Sequence, residues 1–212
     1  TGTNTNDAPD FTSTAVTAVN EDAEYSYTAA TSDDDGDTVT LVGTTVPAWM
    51  SFDATTGALT GTPTNSEVGS HAVVITATDT NSASTAQTFT VVVANTNDAP
   101  TLANAIADAS TAEDAAYSLD VSAMCTDVDV GDTMTHSLAG APSTITVASG
   151  IISGTPLQSD IGTHTITVSC VDAAGASATD SYVLTVTNVN DAPDFTSTAV
   201  TAVNEDAEYS YT

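Results

Sequence analysis

The side chains with chemistry to offer in this chain are almost all carboxylates and amides. It holds 28 Asp plus Glu and three His but no Lys and no Arg, a formal charge of −28. Carboxylates stand at alternate positions in two short runs, Asp33-x-Asp35-x-Asp37 and Asp127-x-Asp129, the second followed by Asp132. An Asn-x-Asn-Asp-Ala-Pro phrase occurs three times, at 4–9, 95–100 and 188–193. An all-oxygen donor set of this kind suits a hard cation. Like charges a few ångströms apart in a partly desolvated crevice repel strongly unless a cation lies among them.

The missing cations exclude other chemistries. Phosphate neutralisation needs Lys or Arg, so no nucleic-acid partner is expected. No Walker lysine, Schiff base, arginine finger or Lys-Asn isopeptide bond can form. No Gly-x-Ser-x-Gly elbow and no His-x-x-x-His pair occurs, and no Cys stands beside a His. The expectation is a protein that is not an enzyme. His71 and His164 read as core-edge residues, His136 as exposed, and Trp49 as packed under a turn. No apolar run approaches the ~18 residues of a membrane span, so no membrane insertion is expected in this segment.

The elements that must position the acids are short strands. Hydrophobic residues make up 41% of the chain, and many are β-branched, which favours a folded, strand-rich protein over disorder. Spacing of the joint phrases gives two domains of about 90 residues. The borders expected are a leading linker at 1–9, domains at 10–98 and 99–191, and the first strands of a third repeat at 192–212. Residues 190–212 repeat 6–28 one for one. The chain therefore reads as a window on a longer array whose period is two unlike domains.

In the first domain, strands are expected at 11–19 (A), 23–31 (B), 38–43 (C), 49–52 (D), 58–60 (E), 71–78 (F) and 87–94 (G), with nothing helical. Alternation puts His71, Val73, Ile75 and Ala77 on one face of F, and Phe89, Val91 and Val93 on one face of G. In the second domain F aligns His164, Ile166, Val168 and Cys170, and B aligns Tyr117, Leu119, Val121, Ala123 and Cys125. The fold class expected is all-β, tandem immunoglobulin-like antiparallel seven-stranded Greek-key sandwiches set end to end. Cys125 and Cys170, on inward faces of B and F, are either a disulfide, the favoured reading, or two buried thiols.

Counting turns up and down a seven-stranded sandwich sorts the acids between two poles. Glu21 and Glu67 fall at the far pole of the first domain, and Asp33, Asp35, Asp37 and Asp79 at its near pole. In the second domain Glu113 and Asp160 are far, and Asp127, Asp129, Asp132 and Asp172 near. End-to-end stringing then gathers Glu21, Glu67, Asn95, Asn97, Asp98, Asp127, Asp129 and Asp172 at the central joint. Asn6, Asp7, Asp33, Asp35 and Asp79 form a half-site at one end, and Glu113, Asp160, Asn190 and Asp191 at the other. Calcium fits best, because it accepts about 6 to 8 oxygens in flexible geometry. An EF-hand is excluded: a loop starting at Thr31 would need its bidentate Glu at position 42, which is Val.

The joint phrase, the turn from Thr126 through Asp132, the Asp79 and Asp172 turns and the early Glu21 and Glu113 resemble the calcium motifs of cadherin repeats. Pro47-Ala48-Trp49-Met50-Ser51-Phe52-Asp53, followed by the Thr-Gly-x-x-x-Gly-Thr-Pro pattern at 56–63, looks more like the bacterial and dystroglycan-type cadherin-like branch with immunoglobulin-like domains. The resemblance implies a calcium-rigidified extracellular or cell-surface array, as in microbial adhesins and surface fibres. The joint lacks one carboxylate of the cadherin phrase, and the middle Leu-Asp-Arg-Glu motif is absent, leaving Glu67 and Asp160 in its place. The function expected is a non-catalytic stalk, spacer or fibre whose partners are neighbouring repeats and identical subunits. The alternatives are an adhesion module that binds a glycan or protein, and an accessory domain of a secreted enzyme.

Overall fold

The computed structural model describes residues 5–211. Asn4 of the first joint phrase, the rest of 1–4 in the expected leading linker, and Thr212 lie outside the described residues. By its contacts the chain divides into two compact units. One runs up to Pro100 and takes in Asp127–Thr133 and Asp172–Ala176; the other holds Thr101–Thr126, Met134–Val171 and Ser177 onward.

In the first repeat the strands are β1 (Asp10–Phe11), β2 (Ala18–Asn20), β3 (Tyr25–Thr28), β4 (Thr31–Ser32), β5 (Thr40–Thr45), β6 (Met50–Asp53), β7 (Ala58–Gly61), β8 (Gly69–Thr78) and β9 (Ser84–Ala94). They build a sheet in the order β2-β9-β8-β5, a second in the order β3-β7-β6, and a ribbon of β1 with β4. The second repeat copies the plan. Its strands are β10 (Thr101–Leu102), β11 (Ala109–Ala112), β12 (Tyr117–Asp120), β13 (Cys125–Thr126), β14 (Thr135–Ala139), β15 (Ile145–Ala148), β16 (Ile151–Gly154), β17 (Gly162–Val171) and β18 (Ser177–Thr187). The sheets are β11-β18-β17-β14 and β12-β16-β15, with a β10–β13 ribbon. The fold class is all-β, with two immunoglobulin-like sandwiches.

Period-two alternation explains the cores. Val73 and Ile75 of β8 and Val91 of β9 are buried in one cluster with Tyr25, Tyr27 and Leu59, and Ala77 and Val93 on the same strands are buried too. In the second repeat Ile166, Val168 and Cys170 of β17 meet Tyr182, Leu184 and Val186 of β18. Burial pushes the Tyr25 hydroxyl up to about 12, so it stays protonated and donates to Val16 O at 2.8 Å. Trp49 packs edge-on against Tyr25 and His71, as a residue under a turn should. The Thr-Gly-x-x-x-Gly-Thr-Pro pattern is dictated by space. Gly57 has φ +73°, and a Cβ there would lie 2.4 Å from Ala29 O; a Cβ on Gly61 would lie 2.4 Å from Trp49 O.

Five expectations need correction. Strand A does not run through 11–19: β1 pairs with β4, whereas β2 crosses to the other sheet and pairs with β9 in parallel, so the sandwich is not wholly antiparallel. Strand B breaks likewise into β3 and β4. A short 3-10 turn occupies Asn65–Glu67, and its counterpart Gln158–Asp160, where nothing helical was expected. Ala123 is exposed and Met124 buried, because Met124 N–H turns back to Val121 O at 3.0 Å and shifts the alternation. His136 is half-buried rather than exposed, and its Nε2 has no partner.

Cys125 of β13 and Cys170 of β17 form a disulfide, which decides between the two readings of that pair. No helix among the described residues is long and apolar enough to cross a membrane.

Candidate metal centre

After β2 the chain enters a tight turn whose second residue, Asp22, has φ 60°, a conformation that Asp tolerates better than most residues. Glu21 N–H donates to Ala94 O at 3.0 Å and Asp22 N–H to Pro63 O at 2.8 Å. This clamp leaves the Glu21 side chain only 2% exposed. Its Oε1 accepts Thr96 N–H at 2.6 Å, and its Oε2 is buried without a partner. The second repeat repeats each contact. Glu113 is 1% exposed, its N–H donates to Thr187 O, and Asp114 (φ 58°) donates to Pro156 O. Glu113 Oε1 accepts Val189 N–H and Asn188 Nδ2, and Oε2 is again buried and unpartnered.

The alternate-Asp turns supply the second group of oxygens. Asp129 N–H donates to Asp127 Oδ1, and Asp129 Oδ2 accepts Asp98 N–H, both at 2.9 Å. Asp129 Oδ1 and Asp127 Oδ2 are buried with no partner. Asp172 accepts Asn97 Nδ2 at 2.9 Å and Ala176 N–H at 2.7 Å. The Asn97 amide, ahead of the backbone N–H groups, holds the Asp172 carboxyl below the usual carboxylate range. Glu21, Asp98 and Asp129 thus present oxygens that all lie within 4.8 Å of one another, as do Asp127, Asp129 and Asp132, with Asp129 common to both sets. All of these residues belong to the first compact unit. Asn95 is exposed and lines the same crevice, with Asn97, Asp129 and Asp132.

The oxygens at the start of the chain form a replica. Asn6 Nδ2 donates to Asp79 Oδ2 at 2.8 Å, Asp7 N–H to Asp35 Oδ2 at 2.7 Å, and Asp35 N–H to Asp33 Oδ1 at 3.0 Å. Asp33 Oδ2 is buried without a partner, as Asp127 Oδ2 is. At the other end Asn190 and Asp191 are exposed, and Asn190 Nδ2 donates to Asp191 O.

Glu67 and Asp160 are placed differently. Glu67 Oε2 accepts the N–H and the hydroxyl of Thr64, and Oε1 the Ser66 hydroxyl. Asp160 accepts Leu157 N–H and the Thr144 hydroxyl. Each closes its own 3-10 turn, and neither is in the two oxygen sets above. Sequence reasoning missed Asn65, which donates Nδ2 to Asp98 Oδ2 at 2.6 Å and so orients that carboxylate.

The role of Asp160 can be tested by titration. The Leu157 N–H, then the Thr144 hydroxyl, hold its carboxyl below the ordinary 3.8. A depressed acid contributes stability above its unfolded value and loses it as pH falls through the folded one. Asp160→Asn therefore destabilises the second repeat at neutral pH in urea unfolding, and the difference from the unsubstituted protein closes below pH 3.8.

The donors fit a hard cation. The unpartnered atoms Glu21 Oε2, Asp127 Oδ2 and Asp129 Oδ1 are carboxylate oxygens, and the chain has no Lys or Arg to neutralise them. Buried charge of that kind is costly unless paired.

The chain matches the family described as "Putative Ig domain" at residues 8–94 and 99–187. No curated protein matches it. Among solved structures it is similar to human mucin-like protocadherin EC1-2, at 17% identity and TM-score 0.63, covering 85% of this chain and 98% of that one. Human protocadherin-24 EC1-2 gives 18% identity and TM-score 0.57, covering 87% and 100%. Protocadherin gamma B2 extracellular cadherin domains 1-5 give 15% identity and TM-score 0.61, covering 86% and 40%. The chain spans 29% of the length of an endo-fucoidan hydrolase from glycoside hydrolase family 107, at 20% identity and a TM-score of only 0.38. Two copies of the family's domain, each folded as a cadherin-like sandwich, account for most of the sequence, and the chain belongs to the "Putative Ig domain" family.

Proposed function

We propose that this chain is a non-catalytic, calcium-stabilised extracellular repeat that serves as stalk, spacer or fibre in a cell-surface adhesin or filament. The observation that carries the reading is the set of buried, unpartnered carboxylate oxygens on Glu21, Asp127 and Asp129 in a chain without Lys or Arg. Glu21, Asp98, Asp127, Asp129 and Asp132 would hold the ion, with Asn95, Asn97 and Asp172 around them. Calcium would supply the positive charge that these oxygens lack. The chain's own residues do the rest. Thr96 N–H, Asn65 and Asn97 fix the carboxylates in place, and the Glu21–Asp22 turn keeps water from one of them.

The disulfide supports an oxidising, extracellular setting. Neighbouring repeats of the same chain are the first partners, and identical subunits of a fibre the next. At calcium 100-fold above its dissociation constant, each site would add about 2.7 kcal/mol to folded-state stability.

Calorimetric titration with calcium tests the ligand set. Glu21→Gln weakens binding on the order of tenfold or more, about 1.4 kcal/mol. Glu67→Gln leaves the titration unchanged, because that carboxylate is committed to Thr64 and Ser66. Equal loss in both variants would overturn the assignment. Should neither melting temperature nor solution length respond to a chelator, the calcium reading itself fails.

A further inference from the structure

In the set formed by Glu21, Asp98 and Asp129, the first and last carboxylates accept the backbone N–H groups of Thr96 and Asp98, and each keeps a buried oxygen without a partner. Asp98 differs. Its Oδ2 accepts the side-chain amide of Asn65 at 2.6 Å. An ionised carboxylate can only accept, so the amide must face it with N–H and not with its own oxygen.

Asn65 comes to Asp98 on a turn that leaves it little freedom. It opens the 3-10 turn Asn65–Glu67. The Glu67 carboxylate reaches back to Thr64 N–H at 2.8 Å and takes the hydroxyls of Thr64 and Ser66, both at 2.7 Å. The His71 ring then donates Nε2–H to Glu67 O at 2.6 Å. These residues and Asp98 all belong to the first compact unit. The partners stand 33 residues apart, so the fold delivers the bond and local chain geometry does not.

The chemistry of the amide decides what Asp98 can still do. Its N–H brings positive charge to Oδ2, in a chain with no Lys or Arg to supply it. It also places a hydrogen-bearing nitrogen where a hard cation would need oxygen, so an ion cannot share that side of Asp98 with it. We propose that Asn65 limits how many cations the centre holds: its amide stands in for an ion on the Oδ2 side of Asp98 and closes the site there. This inference rests on the calcium reading above.

Two substitutions test it. Asn65→Asp keeps the side chain's size and puts a carboxylate oxygen where the N–H was; Asn65→Ala removes the N–H and supplies no oxygen. Bound calcium is counted by equilibrium dialysis, in salt high enough to screen the surface acids, and melting is followed by circular dichroism in chelator. The unsubstituted protein and Asn65→Ala hold equal numbers of ions, and Asn65→Asp holds one more. In chelator Asn65→Ala melts below the unsubstituted protein, and Asn65→Asp lower still, because it sets a second charge against Asp98 with nothing to neutralise it. Ions are counted below these melting temperatures, so that a lost ion is not a lost fold. An Asp variant that gains no ion overturns the proposal. So does an Ala variant that binds fewer, which would make Asn65 a ligand through its oxygen, and so does an Asp variant that melts no lower than Ala in chelator. If the unsubstituted protein and both variants bind no calcium, the calcium reading has failed, and this inference with it.

Discussion

Replacing Asp129 by Asn raises the melting temperature of the calcium-free protein and removes most of the rise that calcium produces. The two effects share one cause. Asp129 offers oxygen to both sets, with Glu21 and Asp98 on one side and Asp127 and Asp132 on the other. Without an ion these carboxylates repel across less than 4.8 Å, on the order of 3 kcal/mol per pair at an effective dielectric of about 20. An Asn amide removes that charge and can still accept Asp98 N–H through its carbonyl oxygen. With an ion the same substitution removes a charged ligand from both sets. One site at 100-fold saturation adds about 2.7 kcal/mol, and ~4–8 °C per kcal/mol for a domain of this size makes the lost rise about 10–20 °C. Thermal melts followed by circular dichroism, with calcium and with chelator, read both signs. If Asp129 served only to hold its loop, Asn would lower the melting temperature in both conditions.

Much of this architecture was legible because β-branched and aromatic residues alternate with Thr and Ser along β8, β9, β17 and β18, and a period of two has one packing solution. The breaks in strands A and B were not legible. Polar and apolar residues keep alternating through 11–19, and only tertiary pairing shows that Ala18–Asn20 belongs with β9. At the site, turn parity brought Glu21, Asp127, Asp129 and Asp172 to the joint phrase that carries Asp98, because each sits at a fixed place relative to a strand end. Parity could not separate an acid aimed at the crevice from one that bonds its own turn. For Glu67 the signal was available, since Thr64-x-x-Glu67 is the spacing at which a carboxylate reaches back to the N-terminal backbone N–H of a helical turn. Asn65 had no such signal. Its bond to Asp98 joins residues far apart in sequence, and an Asn in a polar turn gives no hint of a distant partner.

Removing the disulfide, with Cys125→Ala and Cys170→Ala together, lowers the melting temperature of the second repeat by roughly 15–30 °C and leaves the first repeat's transition in place. The bridge spans 45 residues. Closing a loop of that size restricts the unfolded chain by about 4 kcal/mol in the chain-entropy description, and ~4–8 °C per kcal/mol converts it to the shift. Both sulfur atoms lie in the second core, Cys170 fully buried and Cys125 3% exposed beside Ile166 and Val168, so no comparable loss reaches the core built on Tyr25 and Leu59. Differential scanning calorimetry resolves the two transitions, and a single transition moved as a whole would contradict the assignment. The substitution also tests the proposed calcium site. Cys125 and Cys170 each stand two residues before a site carboxylate, Asp127 and Asp172. A bridge that pins the starts of both loops keeps their oxygens in register before an ion arrives, so less ordering is left to the binding step. Calcium affinity in the double Ala variant, titrated at a temperature where both repeats remain folded, therefore falls below that of the bridged protein. An unchanged affinity would mean that Asn97 and the Asp129–Asp98 backbone bond hold the loops without help from the disulfide.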